Sequence, residues 1–200
     1  KQKALAAEQD RLNKLKKDLE ASSARLAELE KMMADKDAAM KKLKETLSKS
    51  LKAFEGKGLT VTEKDGKVYV SMENKLLFES GSWTVGSEGK KAVDLVGKVL
   101  GDNPDISVLI EGHTDNDKIT GTIGGGVENN WDLSTKRATA IVNILSANAK
   151  VKKENLTAAG RGEYAPLMSN ETAEGKAKNR RIEIILTPKL DEISKMLNEL

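Results

Sequence analysis

Few residues in the chain have chemistry to offer. The apolar run Ile106-Ser-Val-Leu-Ile-Glu-Gly112 leads into His113-Thr114-Asp115, so a polar cluster emerges from the end of a buried strand, where α/β folds commonly place ligand sites. His113 is the single histidine and cysteine is absent, so no second His or Cys completes a catalytic dyad or a metal site, and neither metal nor cofactor is expected. His113 then reads as a structural hydrogen-bonding residue, and Asp115 on its own reads equally well as a turn residue. Arg137 is the sharper clue. The pattern starts its helix near residues 132–134 and puts Arg137 in the first turn, where the positive end of the helix dipole disfavours a cation. Asp132 can pair with it, or it can share a solvated face with Lys136. The third option is that Arg137 and Asp115 together clamp a zwitterion, because a guanidinium forks onto a carboxylate while a carboxylate accepts from an ammonium. Glu111 could partner Asp115 in acid/base cleavage of a glycan, but nothing in the sequence demands the raised pKa this needs. No catalytic residue is assigned, and a binding module rather than an enzyme is expected.

The elements that must position these residues follow from periodicity. Leu59 and Val61 alternate with polar residues, Asp65-Gly66 makes a hairpin turn, and Val68, Val70 and Met72 alternate again. Ser87 is placed to cap a helix with the apolar stripe Ala92, Leu95, Val96 and Val99, closed by Asn103-Pro104. The helix carrying Arg137 buries Ala138, Ile141, Val142 and Leu145; Leu156 to Ala159 and Arg181 to Thr187 read as strands. Strands alternating with helices after a hairpin predict an α/β two-layer sandwich, a mixed sheet backed by helices. After Pro188, residues 188–200 form a short amphipathic helix with Leu190, Ile193, Met196, Leu197 and Leu200 on one side.

Residues 1–55 are a different material. Leu5, Leu12, Leu19, Leu26, Met33, Met40, Leu47 and Phe54 recur every seven residues, while the matching d positions alternate between leucine and polar residues. No Pro or Gly interrupts them, so a long N-terminal coiled-coil helix forming a parallel homodimer is expected. The alternative is a single long helix packed back on the globular domain. Gly56 and Gly58 end the helix and supply a hinge at residues 56–58. The basic pI of 8.9 belongs to this arm, since residues 1–54 carry 14 Lys/Arg against 9 Asp/Glu. Its lysines have no aromatic residue among them to stack bases, so nucleic-acid binding is not expected. No stretch has the roughly 18–20 apolar residues needed to cross a bilayer, and the chain begins at Lys1. It reads as part of a longer protein that reaches a membrane only through a segment absent here.

Five blocks then carry a resemblance: Leu77-Phe78 with Glu79-Ser-Gly-Ser82, Ile110-Glu-Gly-His-Thr-Asp115, Asn130-Trp-Asp-Leu-Ser-Thr-Lys-Arg-Ala138, Gly160-Arg-Gly-Glu-Tyr-Ala-Pro166 and Asn179-Arg-Arg-Ile-Glu183. In this order they resemble the OmpA-like peptidoglycan-binding domains of OmpA, Pal and MotB, over residues 59–187, with wording most similar to the MotB branch. The resemblance implies a domain that binds the diaminopimelate-containing stem peptide of peptidoglycan, with Asp115 taking the ammonium and Arg137 the carboxylate. Thr114 and Asn130 match neighbouring pocket positions, Arg181, with Arg180 as a second candidate, matches a further basic contact, and Phe78 matches the pocket edge. It also implies a protein of the periplasm or cell envelope, membrane-anchored in full length. That protein would be a wall anchor such as the periplasmic part of a stator subunit, or a structural tether between membrane and wall. The sequence departs from the pattern at 116–129, a longer loop containing Thr120-Gly-Thr-Ile-Gly-Gly-Gly126, and at Asn129, where many members have Tyr. Such a loop is either a lid or disordered, and it lacks the Gly-Lys-Ser/Thr ending of a nucleotide loop.

Overall fold

The computed structural model describes residues 2–120 and 123–198. Leu200, and Gly121 and Thr122 of the Gly-rich loop, lie outside the described residues. The chain divides into two compact units, Met40–Lys189 and Lys1–Ala39 with Leu190–Leu200. No described helix is long and apolar enough to cross a membrane.

Met40–Lys189 is built on one five-stranded sheet. The strands are β1 (Leu59–Lys64), β2 (Lys67–Glu73), β3 (Ile106–His113), β4 (Leu156–Gly160) and β5 (Arg181–Pro188), in the order β1-β2-β5-β3-β4. Only β3 and β4 run parallel, and a parallel pair needs a crossover, which α4 (Asn130–Ser146) supplies. The β1–β2 turn is Asp65-Gly66 with φ of 52° and 71°, the doubly left-handed turn that an Asp-Gly pair favours. The fold is the mixed sheet backed by helices that the periodicity predicts.

The period of two decides which face is core. Val68, Val70 and Met72 on β2, Val108 and Ile110 on β3, and Ile182, Ile184 and Leu186 on β5 are all buried. They join Ala92, Val93 and Val96 of α3 (Ser87–Gly101) and Ala138, Ile141 and Leu145 of α4 in one core. The odd-numbered residues of the same strands, including Glu111, His113, Arg181 and Glu183, point to the opposite face.

Some boundaries differ from expectation. Gly86 is the N-cap of α3 and Ser87 its first residue, with no side-chain cap bond. Helix α1 (Gln2–Ser50) is continuous as expected, but Met40, Leu43, Leu47, Leu51 and Phe54 are buried in the domain's core cluster. Residues 40–54 therefore pack with the sheet domain instead of outside it, so the seven-residue repeat serves two purposes along its length. The residues before them do not share this environment: Leu5, Leu12, Leu15, Leu19, Leu26 and Met33 are all at least 53% exposed. Among the described residues of that unit the buried apolar ones are Leu29 of α1 and Ile193 of α6 (Asp191–Asn198). Two short helices with weak sequence signals complete the chain, α2 (Asn74–Leu77) and α5 (Ala173–Asn179), together with single 3-10 turns at Lys52–Phe54 and Lys153–Asn155.

Candidate ligand-binding site

Helix α4 is pressed unusually close to the strands beneath it. Gly112 and Gly160 are register partners on β3 and β4. A Cβ on Gly112 would lie 2.0 Å from the Ser134 carbonyl oxygen, and one on Gly160 would lie 2.1 Å from Thr135 Oγ1. Both positions must be glycine for the helix to sit there. The helix start is fixed as tightly, because Asn129 Oδ1 accepts from Asp132 N at 3.1 Å and Asp132 Oδ2 accepts from Glu128 N at 2.9 Å. Asn129, where the resemblance looks for Tyr, is thus the N-cap.

The helix begins at Asn130, earlier than the apolar pattern indicates, so Arg137 lies two turns in rather than in the first turn. The dipole argument for a compensating partner therefore lapses, and Asp132 is spent on the cap. Burial replaces it. Arg137 is 3% exposed, its Nε donates to the Ser82 carbonyl at 2.9 Å, and its guanidinium carbon lies 5.2 Å from the centre of the Phe78 ring. No ion pair reaches it among the described residues. Burial, and then the charge of Arg180, push its pKa down to about 10, with Asp115 opposing, so it remains a cation at neutral pH. A buried guanidinium with no bonded carboxylate is expensive, and such charges concentrate where a ligand supplies the missing partner.

That charge faces a cavity of about 690 Å³. Its wall is formed by Asn74 and Lys75 of α2, the turn Phe78–Gly81, Thr114, Asp115 and Asp117 just after β3, the loop residues Lys118, Ile119, Thr120 and Ile123, Asn130, Leu133 and Arg137 of α4, and Ala177 and Arg180. Asp115 is buried; its Oδ1 accepts from Asp117 N at 3.1 Å and its Oδ2 pairs with Arg180. Asn130 Nδ2 donates to Glu163 Oε2 at 2.8 Å and to the carbonyls of Asp117 and Asp115 at 3.1 and 3.3 Å. Its amide ties the loop after β3 to the helix. The Thr114 hydroxyl donates to the Asp115 carbonyl at 2.8 Å. Asn74 Oδ1 is a buried acceptor with no partner, and a ligand ammonium is the kind of donor it lacks.

Four of the five expected site residues, Thr114, Asp115, Asn130 and Arg137, therefore line one cavity. Arg181 does not: it is 3% exposed, and its guanidinium donates to Glu183 Oε1 at 2.7 Å and to the Asn179 and Ala165 carbonyls at 3.1 Å each. The cavity's basic residue from this pair is Arg180. Glu111 does not line the cavity either; it lies beside His113, whose ring nitrogens have no hydrogen-bond partner. His113 is thus not the hydrogen-bonding residue expected. Asn74 carried no sequence signal, because nothing local marks the single helical turn that aims it.

The chain is similar to several known proteins. The chain is 35% identical over 120 residues to Motility protein B of Bacillus subtilis, covering 60% of this chain and 45% of that protein. It is 41% identical over 83 residues to the peptidoglycan-binding protein ArfA of Mycobacterium tuberculosis, covering 42% and 23% respectively. The chain thus spans less than half the length of either relative. The structure of the cell wall anchor of the type VI secretion system from Pseudomonas aeruginosa superposes with a TM-score of 0.63 at 28% identity, over 72% of this chain and 97% of that one. Residues 77–180, which hold all but two of the cavity-lining residues, match the OmpA family profile, and the chain belongs to the OmpA family.

Proposed function

We propose that this chain binds the stem peptide of peptidoglycan non-covalently and anchors a cell-envelope protein to the wall, without catalysis. The observation that carries the reading is the buried Arg137 guanidinium, without an ion pair among the described residues and lining the same cavity as the Asp115 carboxylate. A diaminopimelate residue offers the complementary pair, a carboxylate for Arg137 and an ammonium for Asp115. Asp115 is paired with Arg180 before ligand arrives, so the incoming ammonium shares or displaces that contact, and the half-exposed Arg180 is free to swing onto a second ligand carboxylate. Thr114 and Asn130 hold the backbone around Asp115. The Motility protein B and ArfA similarities and the cell-wall-anchor structure support the same reading. They favour an envelope location.

Calorimetric titration with a diaminopimelate-containing muropeptide tests it. Saturable binding is expected for the parent and is expected to vanish in Asp115→Ala and Arg137→Ala, because each removes a charged partner of the ligand, a loss of about 2–5 kcal/mol. Absence of binding by the folded parent would sink the proposal.

A further inference from the structure

The face of the sheet turned away from α3 and α4 carries a second polar cluster that the ligand cavity does not use. Glu111 on β3 and Glu183 on β5 are register partners, and His113 follows along β3 opposite Arg181. His113 Nε2 lies 3.5 Å from Glu111 Oε2 and 3.9 Å from Glu183 Oε2, and one ligand atom from each residue falls within 4.8 Å of the others. The imidazole is 2% exposed, and neither ring nitrogen makes a hydrogen bond. A neutral imidazole always has one bare lone pair, and here its neighbours are carboxylate oxygens, which are acceptors as well. With the ring N–H on Nδ1, Nε2 and the two carboxylate oxygens are three converging acceptors that lack a cation.

The 3.5 Å separation of His113 and Glu111 fits one directly, and the wider separations close by rotation of the carboxylates. Two ligand atoms each about 2.1 Å from a tetrahedral ion stand about 3.4 Å apart. One carboxylate is already oriented: Arg181 Nε holds Glu183 Oε1 at 2.7 Å and is itself anchored on the Asn179 and Ala165 carbonyls, which leaves Oε2 presented to His113. This is the outer-layer support that metal-ligating carboxylates use. The imidazole is held neutral by burial first and then by Arg181 and Arg161, the form that ligates. Glu111 and Glu183 keep 16% of their side-chain surface open to solvent, so an ion can reach the cluster.

We propose that Glu111, His113 and Glu183 bind one divalent transition-metal ion of the zinc class on this face, through Nε2 and one oxygen of each carboxylate, with water completing the shell. The ion clips β3 to β5 and is independent of wall binding. Nitrogen and mixed oxygen ligands select this class over magnesium, which prefers oxygen alone.

The test uses the intact chain, free of affinity tag and stripped with chelator, titrated with zinc chloride. His113 is the sole histidine, so its imidazole signals in a long-range proton–nitrogen spectrum report on this site alone. Saturation at a single equivalent is expected, with displaced His113 signals and a raised thermal midpoint. Magnesium chloride is expected to move neither. Glu111→Gln and Glu183→Gln are each expected to weaken zinc binding about tenfold or more. Unmoved His113 signals at saturating zinc would overturn the proposal, as would zinc affinity that neither glutamine variant lowers.

Discussion

Two buried bases, Arg137 on α4 and His113 at the end of β3, resolve their burial in opposite ways. Arg137 stays charged, because even a pKa pushed down to about 10 leaves it protonated at neutral pH. His113 gives up its proton, its pKa lowered to about 3 by burial and by the charges of Arg181 and Arg161. The second case has a consequence for stability. An unfolded histidine takes up a proton below about pH 6.5, whereas the folded one does so only near 3, so between those values the unfolded chain binds more protons. The stabilisation is complete above about 6.5 and is lost as pH falls toward 3, by at most about 1.4 kcal/mol per pH unit. Urea unfolding of chelator-treated protein at about pH 7 and about pH 5 is expected to show this loss, and His113→Gln to flatten it. An equal slope in both proteins would assign the acid sensitivity to other groups. The residue scale is also where sequence reading reaches its limit. Arg180 and Arg181 are adjacent and chemically identical, and motif order cannot rank them. Arg181 opens β5 and its side chain takes the face away from the cavity, while Arg180 caps α5 and takes the near side. Only the register of the sheet separates them.

At the scale of elements, most of the domain was legible because each signal is local. Alternation marks β1, β2 and β3, Asp65-Gly66 marks the turn, and an apolar stripe marks α3 and α4. What escaped was whatever depends on long-range packing: the start of α4, set by Asn129 and by the glycine bed of β3 and β4, and the end of the arm. The repeat in α1 predicts a uniform seam through Phe54, yet Met40, Leu43, Leu47, Leu51 and Phe54 are core residues of the sheet domain. A heptad pattern states that one face is apolar without stating what covers it. Burial of a large apolar side chain contributes about 1.5–3 kcal/mol, so these five together rival the roughly 5–15 kcal/mol net stability of a typical domain. A fragment beginning at Leu59, the boundary the composition indicates, is therefore expected to be unfolded or aggregated, whereas one beginning at Asp35 is expected to unfold cooperatively. Thermal scans of the two by circular dichroism decide it, and a cooperative transition of comparable midpoint in the shorter fragment would show that α1 adds no core.

At the scale of the whole molecule the remaining question is what covers the apolar stripe before Met40. Leu12, Leu19 and Leu26 are 53%, 68% and 58% exposed, and three leucines in one heptad register are more than a solvated helix needs. Among the described residues of their unit the buried apolar ones are Leu29 and Ile193, so the stripe from Leu5 to Leu26 is open to a partner. A second copy supplies an identical stripe in register, and a parallel pair would carry two ligand cavities on one stalk. Linked sites raise retention on a repeating polymer by about 10²–10⁴ without any new contact, provided the spacing matches. Sedimentation at micromolar concentration is accordingly expected to give a dimer for the parent and a monomer for Leu12→Asp/Leu19→Asp. Both should bind a soluble muropeptide with the same affinity, since the substitutions lie outside Met40–Lys189, yet the monomer should wash off isolated sacculi faster. A parent that sediments as a monomer would remove the coiled-coil reading, and equal wash-off from a confirmed dimer and monomer would remove the avidity argument while leaving the cavity's ligand unchanged.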